Sequence, residues 1–226
     1  MELAYRDRAL VLDDVLVLAD LHVGKGETAN LEVPVGDSAD MTGRFEALVS
    51  EGDVSAVVVA GDFLHSFGTI PRTVEETVRE VFRIGDAYDV EITVTPGNHD
   101  PMIESLWDGG IRDEYRVGDT VVLHGHETPD ADADRYVVGH DHPTIVIEGQ
   151  RRPCYLYGED AYRGADVLML PSFNRLVRGV RVNGMYAGDF MSPLVRSAEA
   201  FRPIVRDEDA GETLEFPPLG EFRRML

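Results

Sequence analysis

Residues 56–100 read AVVVAGDFLHSFGTIPRTVEETVREVFRIGDAYDVEITVTPGNHD, and this stretch decides the fold. Ala56–Ala60 is a short β-branched run closed by Gly61-Asp62, the pattern of a buried strand delivering side chains to one edge of a sheet. Pro71 stands just inside a helix expected over Arg72–Gly85, where a missing N–H does no harm. Glu91–Thr95 forms the next buried strand and ends in Pro96-Gly97-Asn98-His99-Asp100. Strand, helix, strand in this order implies parallel neighbours joined by a right-handed crossover.

Upstream, LAYRDRALVLDDVLVLAD (3–20) reads as a hairpin of two apolar strands turning at Asp13-Asp14. Asp20 and His22 follow, then a glycine-containing loop from Gly24 to Gly36 and a helix opened by Ser38 and running through Val49. Beyond Asp113 the spacing changes to that of hairpins. Strands are expected at Glu114–Val117, Thr120–Leu123, Tyr136–Val138, Thr144–Glu148, Pro153–Tyr157, Val167–Leu170 and Arg178–Val182. A βαβ half followed by a largely antiparallel half predicts a mixed α/β chain of two facing sheets. Neither an internal repeat nor a linker interrupts it, so residues 1–226 are expected to form a single domain.

All seven histidines (His22, His65, His99, His124, His126, His140 and His142) fall at or just past the carboxyl ends of these apolar runs. Open α/β sheets place their ligands at that edge. Asp20 and His22 are two apart, so on a continuing strand they share a face and can grip one ion. Asp62 offers a carboxylate able to bridge two ions, Asn98 an amide oxygen, and His124, His140 and His142 imidazoles. A mixed oxygen and nitrogen set without thiolate favours manganese, iron, zinc or a similar divalent ion. Two such ions, about 3.5–4 Å apart, can share a hydroxide and stabilise both the attacking and the leaving oxygen at phosphorus.

The motifs stand in order as Asp20-Leu-His22, Gly61-Asp62-Phe-Leu-His65, Gly97-Asn98-His99-Asp100, His124-Gly-His126 and Gly139-His140-Asp-His142. In combination they resemble the calcineurin-like binuclear metallophosphoesterases. That resemblance implies a four-layer α/β/β/α sandwich. It implies one metal held by Asp20, His22, Asp62 and His142, and a second by Asp62, Asn98, His124 and His140. It casts His99 as the residue that protonates the leaving oxygen or binds the phosphate, with Asp100 orienting its ring. Within H-G-H, His124 closes the strand and is taken as the ligand, leaving His126 to face the substrate or support the ligands.

His65 narrows the resemblance, because G-D-x-x-H and the ADLHVGKG segment are similar to the SbcD-type nuclease branch. There His65 would hold the scissile phosphate or the leaving group. The DLHVGK, VPVGDSAD, GHDHP, RRPCYLY and LPSFNRLVRG segments resemble a smaller group, the archaeal SbcD-related and bacterial DNA ligase-associated phosphoesterases. This implies two divalent ions, manganese foremost with iron, zinc, nickel or magnesium as alternatives. It also implies a phosphodiester or single-stranded nucleic-acid substrate and partners in DNA repair or ligation. The capping domain and dimerising helices of larger SbcD-type enzymes have no counterpart expected here. Asn174 and the arginines Arg175, Arg178 and Arg181 are candidate phosphate contacts, as is Lys25, the only lysine. Surface pairing with acids is the competing reading of the arginines, and core packing that of Phe173, whose ring otherwise suits a base.

Composition bounds the partners. The net charge is −21 at pH 7, and acidic stretches run along the whole chain. Such a surface suits a protein kept soluble in high salt, a halophilic trait, and in ordinary buffer it repels nucleic acid. At molar salt the Debye length is only about 3 Å, so distant acids scarcely reach the site. Cys154 is the sole cysteine, which removes disulfides and cysteine-based zinc sites. Without a signal segment or a membrane-spanning apolar run, a cytoplasmic location is expected. Two further readings stay open: a small phosphoester such as a 2′,3′-cyclic nucleotide as substrate, and a non-catalytic metal-binding scaffold in a repair complex.

Overall fold

The computed structural model describes residues 3–28, 37–65 and 69–225, so residues 29–36 of the expected Gly24–Gly36 loop lie outside it. The chain opens with β1 (Leu3–Arg6), β2 (Ala9–Leu12) and β3 (Val15–Leu18). The expected hairpin is therefore a three-stranded meander. Besides the turn at Asp13-Asp14, the chain reverses at Asp7 and Arg8, with φ of 32° and 66°, as a two-residue hairpin loop demands. Asp-Arg carries no glycine or asparagine to announce that turn.

Next come α1 (Lys25–Thr28), α2 (Asp37–Ser50), β4 (Ala56–Ala60), α3 (Arg72–Ala87), β5 (Glu91–Thr95) and β6 (Gly110–Ile111). Pro71 stands one residue before α3, in extended backbone. The six strands lie side by side in sequence order, antiparallel from β1 to β3 and parallel from β3 to β6.

The second half contains β7 (Tyr115–Val117), β8 (Thr120–Leu123), β9 (Arg135–Val138), β10 (Pro143–Ile147), β11 (Gln150–Pro153), β12 (Tyr155–Tyr162) and β13 (Ala165–Met169). After these follow β14 (Val180–Arg181), β15 (Arg202–Asp207), β16 (Glu212–Glu215) and α4 (Leu219–Met225). The large sheet runs β16-β15-β12-β13-β9-β8-β7. Its centre departs from the antiparallel expectation, for β8, β9 and β13 are parallel neighbours and only the flanking pairs are antiparallel. The run Pro153–Tyr157, expected as one strand, is cut at buried Cys154. β11 joins a three-stranded side sheet with β10 and β14, while β12 enters the large sheet.

Strand alternation assigns the layers, because successive side chains point to opposite faces. Leu16, Leu18, Val57, Val59 and Val94 pack against Phe45 of α2 and Val78, Val81 and Ile84 of α3. Val15, Val17, Val58 and Ala60 point the other way, into Val122, Val137, Leu168 and Ile204 of the second sheet. The far face of that sheet is covered by Leu194, Val195, Phe201, Leu219 and Phe222. The layers are thus α/β/β/α, the last built from α4, short 3-10 turns and the side sheet. Tyr155 ties the two large sheets together, its hydroxyl donating to the Ala9 carbonyl at 2.6 Å. Among the described residues no helix is long and apolar enough to cross a membrane.

Candidate metal centre

The carboxyl ends of β3, β4 and β5 from one sheet and β8 and β9 from the other converge on a single crevice. Beyond β3 and β4 the ladder continues without regular strand: Asp20 N–H donates to the Gly61 carbonyl (3.1 Å) and His22 N–H to that of Asp62 (2.8 Å). This side-by-side course presents Asp20, His22 and Asp62 together. Gly61, at φ 75°, and Gly97 are required by close approach. A Cβ on Gly61 would overlap the His124 ring, and one on Gly97 would overlap the Asp62 carboxylate.

Two groups of ligand atoms form around Asp62. Asp20, His22, Asp62 and His142 offer atoms within 4.8 Å of one another, and so do Asp62, His124 and His140. In the first group, His22 Nε2 lies 3.3 Å from His142 Nε2 and 3.7 Å from Asp62 Oδ2, and His142 Nε2 lies 3.1 Å from Asp20 Oδ1. In the second, His124 Nε2 lies 3.1 Å from His140 Nδ1, 3.2 Å from Asn98 Oδ1 and 3.5 Å from Asp62 Oδ1. Asp62 therefore turns one carboxylate oxygen to each group.

The donor chemistry fits cations. His124 Nδ1 sits 3.2 Å from the Ala60 carbonyl, so that nitrogen carries the proton and Nε2 presents a lone pair to the crevice. Facing nitrogens at 3.1 and 3.3 Å need either a proton or a cation between them. Burial drives His124 and His22 down to about 3 despite the charge of Asp20, so both are neutral at pH 7. Burial, reinforced by Asp20, pushes the Asp62 carboxyl up to about 7. Burial alone would also raise Asp20, but the charge and hydrogen bond of His142, with His124 and His22, hold it below the usual range. His142 is raised, since Asp20 and Asp62 outweigh the opposing effect of burial.

His65 and His99 stand beside the first group, their rings stacked with centroids 6.1 Å apart and 5.3 and 5.2 Å from that of His22. Burial holds both below the ordinary imidazole range, and the charge of Lys25, at the start of α1, adds to this. The His99 N–H donates to Asp62 Oδ1 at 2.9 Å, and its side chain is 28 % exposed, open to a substrate. Asp100 is buried and exerts its hold through the backbone: its carboxylate accepts the N–H groups of Phe63 (3.1 Å), Leu64 (2.8 Å) and Gly97 (2.9 Å). It locks the two loops carrying Asp62, His65 and His99 to one another. His126 stays on the rim beside Glu127, its ring 5.1 Å from that of His124.

One expected substrate contact, Asn174, falls elsewhere, and Arg175 is engaged by acids. Asn174 is 1 % exposed, and its amide donates to the Leu21 carbonyl at 2.9 Å and accepts the Leu176 N–H at 2.8 Å. It braces the Asp20–His22 segment from behind and cannot reach a phosphate. Arg175 spends its guanidinium on Asp40 (2.9 Å) and Asp7 (3.6 Å), the pairing that an acid-rich surface favours. Phe173 is fully buried, with the Arg44 guanidinium 4.1 Å above its ring, so it does not meet a base. Two supporting residues carried no signal of their own. Ser172 Oγ donates to the Asp20 carbonyl at 2.6 Å. Asp141 anchors the His140–His142 segment by accepting the N–H groups of Met191 (2.8 Å) and Ser192 (3.0 Å). Only their places inside P-S-F-N and G-H-D-H hinted at either.

The sequence model of the calcineurin-like phosphoesterases matches residues 14–179, which include both ligand groups. The crystal structure of the Pseudomonas putida nuclease MPE is similar in fold, with a TM-score of 0.66 at 21 % identity. The alignment covers 93 % of this chain and 92 % of that one. No curated protein sequence matches the chain.

Proposed function

Since the chain belongs to the calcineurin-like phosphoesterase family, we propose that it is a divalent-metal phosphodiesterase that cleaves single-stranded nucleic acid. The observation that carries this reading is the Asp62 carboxylate, with one oxygen toward His22 and the other toward His124. Asp20, His22, Asp62 and His142 would hold one cation, and Asp62, Asn98, His124 and His140 the other. A pair of divalent ions supplies charge stabilisation at phosphorus and acidifies water, with manganese our preferred metal.

The chain's own residues perform the rest. Asp62, with one carboxylate oxygen toward each group, would fix the separation of the two cation sites. His99, exposed at the crevice with its backbone N–H bonded to Asp62, is placed to bind the phosphate or, once protonated, to give a proton to the departing oxygen. His65, stacked beside it, faces the same space and is suited to the scissile phosphate. Asp100 keeps both loops in register with Asp62. The family supplies the phosphoester chemistry, and the likeness to a nuclease along nearly the whole chain supports a polynucleotide as substrate.

The test is incision of a labelled circular single-stranded DNA at high salt with Mn²⁺, with Asp62→Asn as the blank. Incision by wild type alone is the expected result. Hydrolysis of bis-p-nitrophenyl phosphate without incision would replace the polynucleotide by a small phosphodiester. Two bound ions with neither activity would leave a metal-binding scaffold.

A further inference from the structure

Beside His142 the surface folds into a cleft of about 150 Å³ whose walls include Arg8, Arg151, Arg175 and Arg178. None of its described lining residues is acidic. In a chain with 42 carboxylates against 21 basic side chains, a cleft walled by four arginines and no acid, with only Arg175 ion-paired, is a marked departure from the surrounding surface. They arrive from separate places: the β1–β2 turn, β11, and the loop after β13.

Neutral groups hold two of them. Arg8 donates to the carbonyls of Ser172 (3.4 Å) and Asn174 (3.3 Å). Arg151 donates to Thr144 Oγ1 (2.8 Å) and the Gly179 carbonyl (3.2 Å). Among the described residues, Arg8, Arg151 and Arg178 have no carboxylate at ion-pair distance; Arg175, bound to Asp7 and Asp40, does. Burial first, and then the adjoining guanidinium groups of Arg44 and Arg175, pull Arg8 down to about 10 against the opposing charges of Asp7 and Asp40.

The opposite end of the ligand cluster has the reverse character. There His124 and His126 share a hollow with Asp113, Glu114, Glu127 and Asp130. A polyanion leaving the crevice is attracted on the His142 side and repelled on the His124 side.

We propose that the arginine cleft beside His142 is a phosphate-binding subsite that holds the sugar–phosphate backbone of a single strand on one flank of the scissile diester. This rests on the phosphodiesterase reading above. Arginine's planar fork suits phosphate oxygens, and the cleft adjoins the first ligand group directly through His142. It is too small for a duplex and reads no base, so it supplies affinity and direction without sequence preference.

The experiment is fluorescence anisotropy of a 5′-labelled oligothymidylate with the metal-free protein, titrated over a range of KCl. Wild type is compared with Arg151→Ala/Arg178→Ala and with Arg79→Ala/Arg83→Ala, an equal charge loss on exposed positions of α3. The cleft pair should raise Kd about tenfold. It should also flatten the salt slope by about 1.4, since each single-strand phosphate left without its arginine removes about 0.7. The α3 pair should match wild type. Equal weakening by both pairs, or none by the cleft pair, would overturn the subsite. Arg178→Glu alone, at a side chain with no hydrogen bond among the described residues, repeats the test should the double variant not fold, and an unchanged Kd there would also overturn it. Hydrolysis of bis-p-nitrophenyl phosphate by a wild type that does not bind the oligonucleotide would overturn the subsite and leave the phosphodiesterase reading intact. Binding abolished in the cleft pair, with no diester hydrolysed by wild type, would keep the subsite and remove that reading.

Discussion

Asp20, His22, Asp62, His140 and His142 hold φ between 43° and 74°, a left-handed conformation that costs an L-residue about 1–2 kcal/mol. Each lies just beyond a strand, and neighbouring bonds hold it there: the His140 N–H reaches both Asp20 carboxylate oxygens, at 3.2 and 3.1 Å. The motifs made these residues legible as candidate ligands, because aspartate and histidine beside glycine at strand ends have few other uses together. Their strained backbone was not legible, since these left-handed positions depend on bonds from neighbouring segments. His99 carries the sharpest prediction at this scale. His99→Asn should keep the metal content of wild type and lower turnover about 10²–10⁴-fold on DNA. The loss should be far smaller on bis-p-nitrophenyl phosphate, whose leaving group departs without a proton. Equal rates of variant and wild type on DNA would take His99 out of the chemistry.

Elements place these residues through loops that brace one another. β4, β5 and β8 match their expected bounds, because a short β-branched run ended by glycine or aspartate is a local signal. The parallel centre of the second sheet was hidden, as β9 and β13 are separated in sequence by β10 and β11, which pair in the side sheet, and by β12, which pairs on the other side of β13. Local alternation identifies a strand without naming its partner. The same limit concealed Asn174, which P-S-F-N marks as a loop residue and which only the assembled fold turns toward Leu21. Asn174→Ala should therefore act as a loss of support. Unsatisfied buried carbonyls cost about 1–3 kcal/mol, and metal affinity falls about 10–100-fold, as for an outer partner of a ligand segment. Thermal unfolding and manganese titration measure both, and unchanged metal affinity with a changed DNA Kd would restore Asn174 as a substrate contact.

Across the whole molecule, the acidic surface and the arginine cleft oppose each other. A net charge of −21 repels itself and any polyanion, and salt relieves both effects at different rates. Screening should stabilise the fold, each kcal/mol of relieved repulsion raising Tm by about 2–4 °C for a chain of this size. A rise in Tm between about 0.1 and 2 M NaCl is the expected scanning-fluorimetry result, whereas a flat or falling Tm would remove the salt-adapted reading of the surface. Composition alone supports that expectation, while the gathering of four arginines beside His142 emerges only once distant segments meet.

The central claim is that one carboxylate joins two cation sites across the mouths of two facing sheets. Electron paramagnetic resonance of the manganese-loaded protein tests it most directly, with Asp62→Ala alongside. Wild type should bind two Mn²⁺ per chain with the spectrum of an exchange-coupled pair, and Asp62→Ala should lose the coupling and at least one ion. Two magnetically independent ions in wild type, or coupling that survives Asp62→Ala, would contradict the account.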